Sequence, residues 1–188
     1  MTTLEKLEKY FNKSLEVKRK FSTEFGDSII KGAEKIREVV SKGNKILICG
    51  NGGSAADAQH FAAELLCHFE KERLGFPAIA LSTDTSILTA WSNDYSFETV
   101  FARQVKTLGK PGDLLVAIST SGNSTNVVNA VEEARELGIF TIGLLGKDGG
   151  RLKNMVEIPI VTPSNRTAFV QECHIMVYHF WCECLESN

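Results

Sequence analysis

Short apolar runs alternate with stretches of helical spacing along most of this chain. Lys45 to Cys49, Ala78 to Ser82, Leu114 to Ser119, Thr141 to Leu145 and Glu157 to Val161 have the length and composition of buried strands. Ser54 to Phe69, Phe97 to Leu108 and Asn126 to Leu137 read as helices between them, and a further helix runs from about Thr167 to Leu185. This alternation predicts parallel strands joined by helical crossovers, an α/β fold with a doubly wound five-stranded sheet. Proline donates nothing to a ladder, so Pro159 places the last strand at a sheet edge. Gly109 and Gly138 follow predicted helices and read as their C-caps. Ahead of the first strand, Leu4 to Val40 reads as one long amphipathic helix, or two with a break near Gly26. An apolar stripe must be buried somewhere, so this extension, residues 1–42, is expected to pack on the long C-terminal helix or on another copy of the chain.

With 188 residues and 43% hydrophobic content, the chain suits a single domain, 1–188, without repeats or linkers. A net charge of −2 from dispersed charges leaves no electrostatic footprint for nucleic acid or an anionic membrane. Any anion site must therefore be built locally. Met1 to Phe11 is charged and has no signal-peptide core, and no run approaches the roughly 20 apolar residues of a membrane span. Five scattered cysteines fit reduced thiols rather than a disulfide framework, which points to the cytoplasm.

The chemistry concentrates after two of the strands. Gly50-Asn51-Gly52-Gly53-Ser54 lies between the first strand and the following helix. Glycines there let the backbone approach a ligand, and the unpaired N–H groups of the helix's first turn face any anion in front of them. Further along that helix, His60 and Glu64 are spaced to share one face, a possible metal or acid/base pair. By themselves they would more often be a surface ion pair. After the third strand, Ser119, Thr120, Ser121 and Ser124 bring four hydroxyls, with Gly122, to the start of another helix. Hydroxyls and free N–H groups can surround phosphate oxygens without a cationic side chain, although Ser124 is equally suited to cap the helix. Neither loop has the GxGxxG or GxxxxGK[ST] spacing of a dinucleotide or nucleoside triphosphate site. In a doubly wound sheet, ligands lie beyond the carboxyl ends of the strands, where both loops fall.

Five ordered segments carry a resemblance: GNGGSAADAQHFAAEL from Gly50, LSTDTSILTAWSNDYSFE from Leu81, AISTSGNSTNVV from Ala117, LLGKDGG from Leu144 and VQECHIMVYH from Val170. From about Lys42 onward the chain resembles the phosphoheptose isomerases of the sugar isomerase (SIS) family. The resemblance implies a homotetramer that interconverts sedoheptulose 7-phosphate and D-glycero-D-manno-heptose 7-phosphate, with one zinc per subunit. That reaction opens the route to ADP-heptose for lipopolysaccharide or GDP-heptose for other surface glycans. Carried over by position, it implies substrate contacts at Asn51, Gly52, Gly53, Ser54, Glu64, Asn93, Asp94, Ser119, Thr120, Ser121, Ser124 and Gln171. It implies metal ligands at His60, Glu64, Gln171 and His179, with Glu64 as base and His179 as acid. A carboxylate and an imidazole suit a proton transfer through an enediol, and His/Glu/His suits zinc.

Gln171 and His179 lie eight positions apart, about 12 Å along a regular helix. One metal reaches both only if the helix is irregular or if two copies of the chain share the site, at a subunit interface. His68 and Phe169 stand where many family members have arginine, which leaves isomerisation of another ketose phosphate as an alternative. A second alternative is a regulatory relative that binds the bacterial replication initiator. That relative lacks the ionisable groups present here at Glu64 and His179.

Overall fold

A computed structural model describes residues 1–187, and Asn188, the last residue of the expected domain, lies outside the described residues. The elements are α1 (Thr3–Ser41), β1 (Ile46–Cys49), α2 (Gly53–Leu66), β2 (Ala78–Ala80), α3 (Thr85–Asp94), α4 (Val100–Leu108), β3 (Leu114–Ser119), α5 (Thr125–Glu136), β4 (Phe140–Gly146), β5 (Ile158–Thr162) and α6 (Thr167–Glu186). All five strands are parallel, in the order β2-β1-β3-β4-β5. The expected doubly wound sheet is present, and Pro159 sits on an edge strand.

Successive strand residues serve opposite layers, as the pleat requires. Ile46 and Ile48 pack with α1, α2 and α6, whereas Leu47 and Cys49 pack with α4 and α5. The chain leaves β1 toward β2 on one side and lies beside β3 on the other, so the switch point falls between β1 and β3. The loops following those two strands flank it.

The N-terminal extension is one continuous helix, with no break at Gly26. Gly26 has nothing within 4 Å of where a Cβ would stand, so no contact bends the chain there. Gly32 is the glycine that packing demands: a Cβ there would lie 2.7 Å from the Trp181 ring. The Trp181 indole also donates to Ile29 O at 2.8 Å, which locks α6 against α1. Farther along, Glu172 of α6 accepts from Tyr10, Ser14 and Lys18 of α1. The expected packing of α1 on the C-terminal helix is thus observed.

Helix α3 was not predicted from the pattern. It is ten residues long and none of them is fully buried: Leu88 and Trp91 only partly cover the core, too short a stripe for periodicity to reveal. Its start is nevertheless marked by Asp84, whose carboxylate accepts from Ile87 N at 2.9 Å. Gly138 adopts φ +68 beyond α5, as a left-handed C-cap should. Gly109 is the C-cap of α4, its N–H donating to Val105 O, but its backbone is extended, and it is small because a Cβ would lie 2.5 Å from Ile139.

Candidate active site

The first loop runs from buried Cys49 to the start of α2, where Gly52 takes φ +57. No side chain caps this helix end: Ser54 N and Ala55 N donate to Asn51 O and Gly52 O at 3.0 Å, which leaves the Gly53 N–H at the loop's mouth for an anion. The amide of Gln171, on α6, lies against the loop: a Cβ on Gly53 would stand 2.1 Å from Gln171 Nε2. Asn51 exchanges two hydrogen bonds with Asn126 of α5, at 2.8 and 2.9 Å. Ser54, expected near substrate, is buried at 4% exposure.

Farther along α2, His60 and Glu64 meet His179 of α6. His60 Nε2 lies 2.9 Å from Glu64 Oε1 and 3.4 Å from His179 Nε2. One ligand atom from each of the three falls within 4.8 Å of the others. Two imidazole nitrogens and a carboxylate oxygen form a donor set that zinc accepts, so these residues fit the expected metal. The Tyr178 hydroxyl lies 2.9 Å from His60 Nδ1, which orients the ring and directs Nε2 toward the cluster. Phe61 stacks on Tyr178 with centroids 5.4 Å apart, so core packing fixes that hydroxyl in turn. Burial lowers the His179 pKa, helped by His60 and opposed by Glu64. One turn before His60, burial pushes the Asp57 carboxyl up to about 6, against the pull of His60 and Tyr178.

The second loop follows β3. Ser119 and Ser124 hydroxyls lie 3.0 Å apart, and Ser119 and Ser121 3.5 Å apart. Ser124 precedes α5 without capping it, so its hydroxyl belongs to this cluster rather than to the helix end. Gly122 holds φ +66, and a Cβ there would stand 1.9 Å from Gly149 O. The loop is backed by the segment after β4: Leu152 N donates to Gly122 O at 3.1 Å, and Arg151 N to Asn123 Oδ1 at 3.0 Å.

The structure thus gathers Asn51, Gly52, Gly53 and Gln171 at one loop, Ser119, Ser121 and Ser124 at the other, and His60, Glu64 and His179 in a cluster. Thr120 is part of the second loop and half-buried. Asn93 and Asp94 are exposed at the end of α3 and bond to each other at 2.9 Å; among the described residues neither bonds to the loops or the cluster. Helix α6 is unbroken from Thr167 to Glu186, so Gln171 and His179 of one chain stay about 12 Å apart along it. The irregular-helix alternative is removed. His174 is fully buried, its Nε2 3.0 Å from Leu145 O. Phe169, at one missing arginine position, is buried beneath the Arg166 guanidinium, 4.5 Å from its ring centre. Sequence reasoning passed over Asn126, Tyr178 and Asp57. Asp57 alone left a signal, three residues before His60 on the same helix face.

Paired anion-accepting loops beside a His/Glu/His cluster, at the carboxyl edge of a doubly wound sheet, define a phosphate-ester-binding α/β protein with acid/base groups within reach. The SIS domain profile matches residues 9–146. A phosphoheptose isomerase of Aquifex aeolicus is 50% identical over 184 residues, spanning 98% of this chain and 96% of its own. One from Trichlorobacter lovleyi is 55% identical over 170 residues, 90% of this chain and 87% of its own. Among solved structures, a phosphoheptose isomerase from Neisseria gonorrhoeae superimposes over the whole of both chains with TM-score 0.92 and 44% identity. One from Francisella tularensis does so with TM-score 0.95 and 40% identity. The chain belongs to the SIS domain family and, within it, to the phosphoheptose isomerases.

Proposed function

We propose that the protein interconverts sedoheptulose 7-phosphate and D-glycero-D-manno-heptose 7-phosphate, with Glu64 as base and His179 as acid. The convergence of Glu64 and His179 on His60, beside the uncapped glycine loop, carries this reading. The Glu64 carboxylate takes a proton from C1 of the ketose. The C1–H electron pair becomes a C1=C2 bond, the carbonyl electrons move to O2, and His179, as the acid, supplies a proton there. His179 then takes the O1 proton as the C1=O1 carbonyl forms, and Glu64 returns its proton to C2, which gives the aldose and restores both groups. His60, Glu64 and His179 would hold a zinc ion, which supplies Lewis acidity at the carbonyl oxygen. Phosphate is held by Ser119, Thr120, Ser121 and Ser124, while Asn51, Gly52, Gly53, Asn93, Asp94 and Gln171 line the sugar.

If Gln171 also ligates the metal, the continuous α6 requires it to come from a second copy, which makes the sites composite, as in the homotetramer expected from the family resemblance. Exposed Leu4, Leu7, Phe11 and Leu15 along α1, and Ile30, Met176 and Phe180 beside the α1–α6 seam, supply apolar surface for such contacts. The heptose product fits a cytoplasmic biosynthetic role, and no helix among the described residues is long and apolar enough to cross a membrane. The test is aldose formation from sedoheptulose 7-phosphate by metal-loaded protein beside Glu64→Gln. Turnover lost in the variant is expected; turnover retained in it would remove Glu64 from the mechanism. A monomeric variant with full activity would remove the composite site.

A further inference from the structure

Asn51 and Asn126 are 75 positions apart, yet each amide both donates to and accepts from the other. Their loops follow neighbouring strands, with Cys49 opposite Ala117, but ladder bonding stops where the loops begin. Gly50, Gly52 and Gly53 have no side chains, so Asn51 supplies the one side chain of Gly50–Gly53 itself that can reach a partner. Gly52 already stands at positive φ, and glycine-rich backbone left untethered samples many conformations.

Asn126 has no evident duty to its own helix. It stands in the first turn of α5 with its side chain bonded to Asn51 rather than to that helix, and Val127, Val128, Ala130 and Val131 supply the apolar buried face. At 4% exposure Asn126 is buried, and both of its amide atoms are engaged by Asn51. A buried amide is tolerated when its polar atoms are paired, and here the partner is the first loop.

We propose that this amide pair is a strap that fixes the backbone N–H groups of the first loop at a set distance from the hydroxyls of the second. Asn126 is then a positioning residue for the isomerisation, a role that rests on the functional reading above. Asn51 serves the substrate through Asn126 and its own backbone, not through a contact of its side chain. A sugar phosphate spanning both loops meets a pre-set separation, which removes an ordering cost on binding and keeps the reacting carbons aligned. Inorganic phosphate, needing the second loop alone, is indifferent to the strap.

The experiment is a double-mutant cycle of Asn51→Ala and Asn126→Ala, with Asn126→Leu as a volume-preserving second variant should the alanine fail to fold. The expected result is a loss of about tenfold in kcat/KM for either single change and no further loss in the double. Inhibition by inorganic phosphate should shift less than about twofold, whereas general damage to the fold weakens both in parallel. An added tenfold loss from Asn51→Ala in the Asn126→Ala background would overturn the proposal, because Asn51 would then touch substrate directly. Hydrogen exchange in ligand-free protein supplies a readout independent of activity: the amides of Ser54, Ala55 and Ala56, which donate to Asn51 O and Gly52 O, should exchange about tenfold faster in either variant, and unchanged exchange would also overturn the strap. Wild-type protein that fails to turn over sedoheptulose 7-phosphate sinks the functional reading alone, since exchange still scores the strap.

Discussion

The two strand-end loops sit side by side and are built in opposite ways. The first has almost no side chains of its own and is held from outside, by Asn126 on α5 and Gln171 on α6. The second carries its own hydroxyls and is held from behind, by the Gly149–Gly150 backbone against Gly122. The difference matches two tasks. A loop of hydroxyls with an uncapped helix behind it suits a phosphate, which every sugar-phosphate substrate presents alike. A bare glycine loop opening onto the helix that bears His60 and Glu64 leaves room for the sugar and delivers it to the acid/base groups.

The largest way to test this division is at the chemical end. Glu64→Gln should lower kcat by about 10³-fold or more while KM changes little, measured by steady-state aldose formation. Parallel loss of binding would merge the two tasks. A smaller effect is expected at Tyr178, whose hydroxyl orients His60. Tyr178→Phe should weaken zinc binding by about 10- to 100-fold in a chelator competition, with phosphate inhibition untouched. On the other side, Gly122→Ala forces a side chain into Gly149 O at a positive φ. It should raise KM by about tenfold and lower Tm by several degrees, with kcat near wild type at permissive temperature.

The smallest effect is a pH dependence beneath the second loop. Burial pushes the His174 pKa down to about 4, against the pull of its bond to Leu145 O. Its unfolded value is about 6.5, so between those values the unfolded chain binds the extra proton. Stability from His174 is therefore full above about pH 6.5 and falls as pH drops toward 4. Tm measured across that window should slope less in His174→Gln than in wild type. An equal slope in both would place the acid sensitivity elsewhere.

The framework was legible because it is written in burial. Each strand is a short apolar run between helical stretches, and all five occur where the pattern places them, with ends shifting by a residue or two as at Ala78–Ala80. Helix α3 was not legible because it is short and its apolar residues, Leu88 and Trp91, are only partly buried. The site divides in the same manner. His60 and Glu64 share a helix face, so spacing alone pairs them, whereas His179 reaches them from 119 positions away through tertiary packing. The strap between Asn51 and Asn126 is still less visible. An asparagine one position into a helix looks like ordinary loop chemistry until the fold sets it opposite its partner.

The most direct test of the division is calorimetric titration of inorganic phosphate into two variants, Glu64→Gln and the double Ser121→Ala/Ser124→Ala. The account predicts wild-type affinity in the first and a loss of about tenfold or more in the second. Affinity lost in Glu64→Gln and kept in the serine double variant would contradict it, placing the phosphate at the glycine loop.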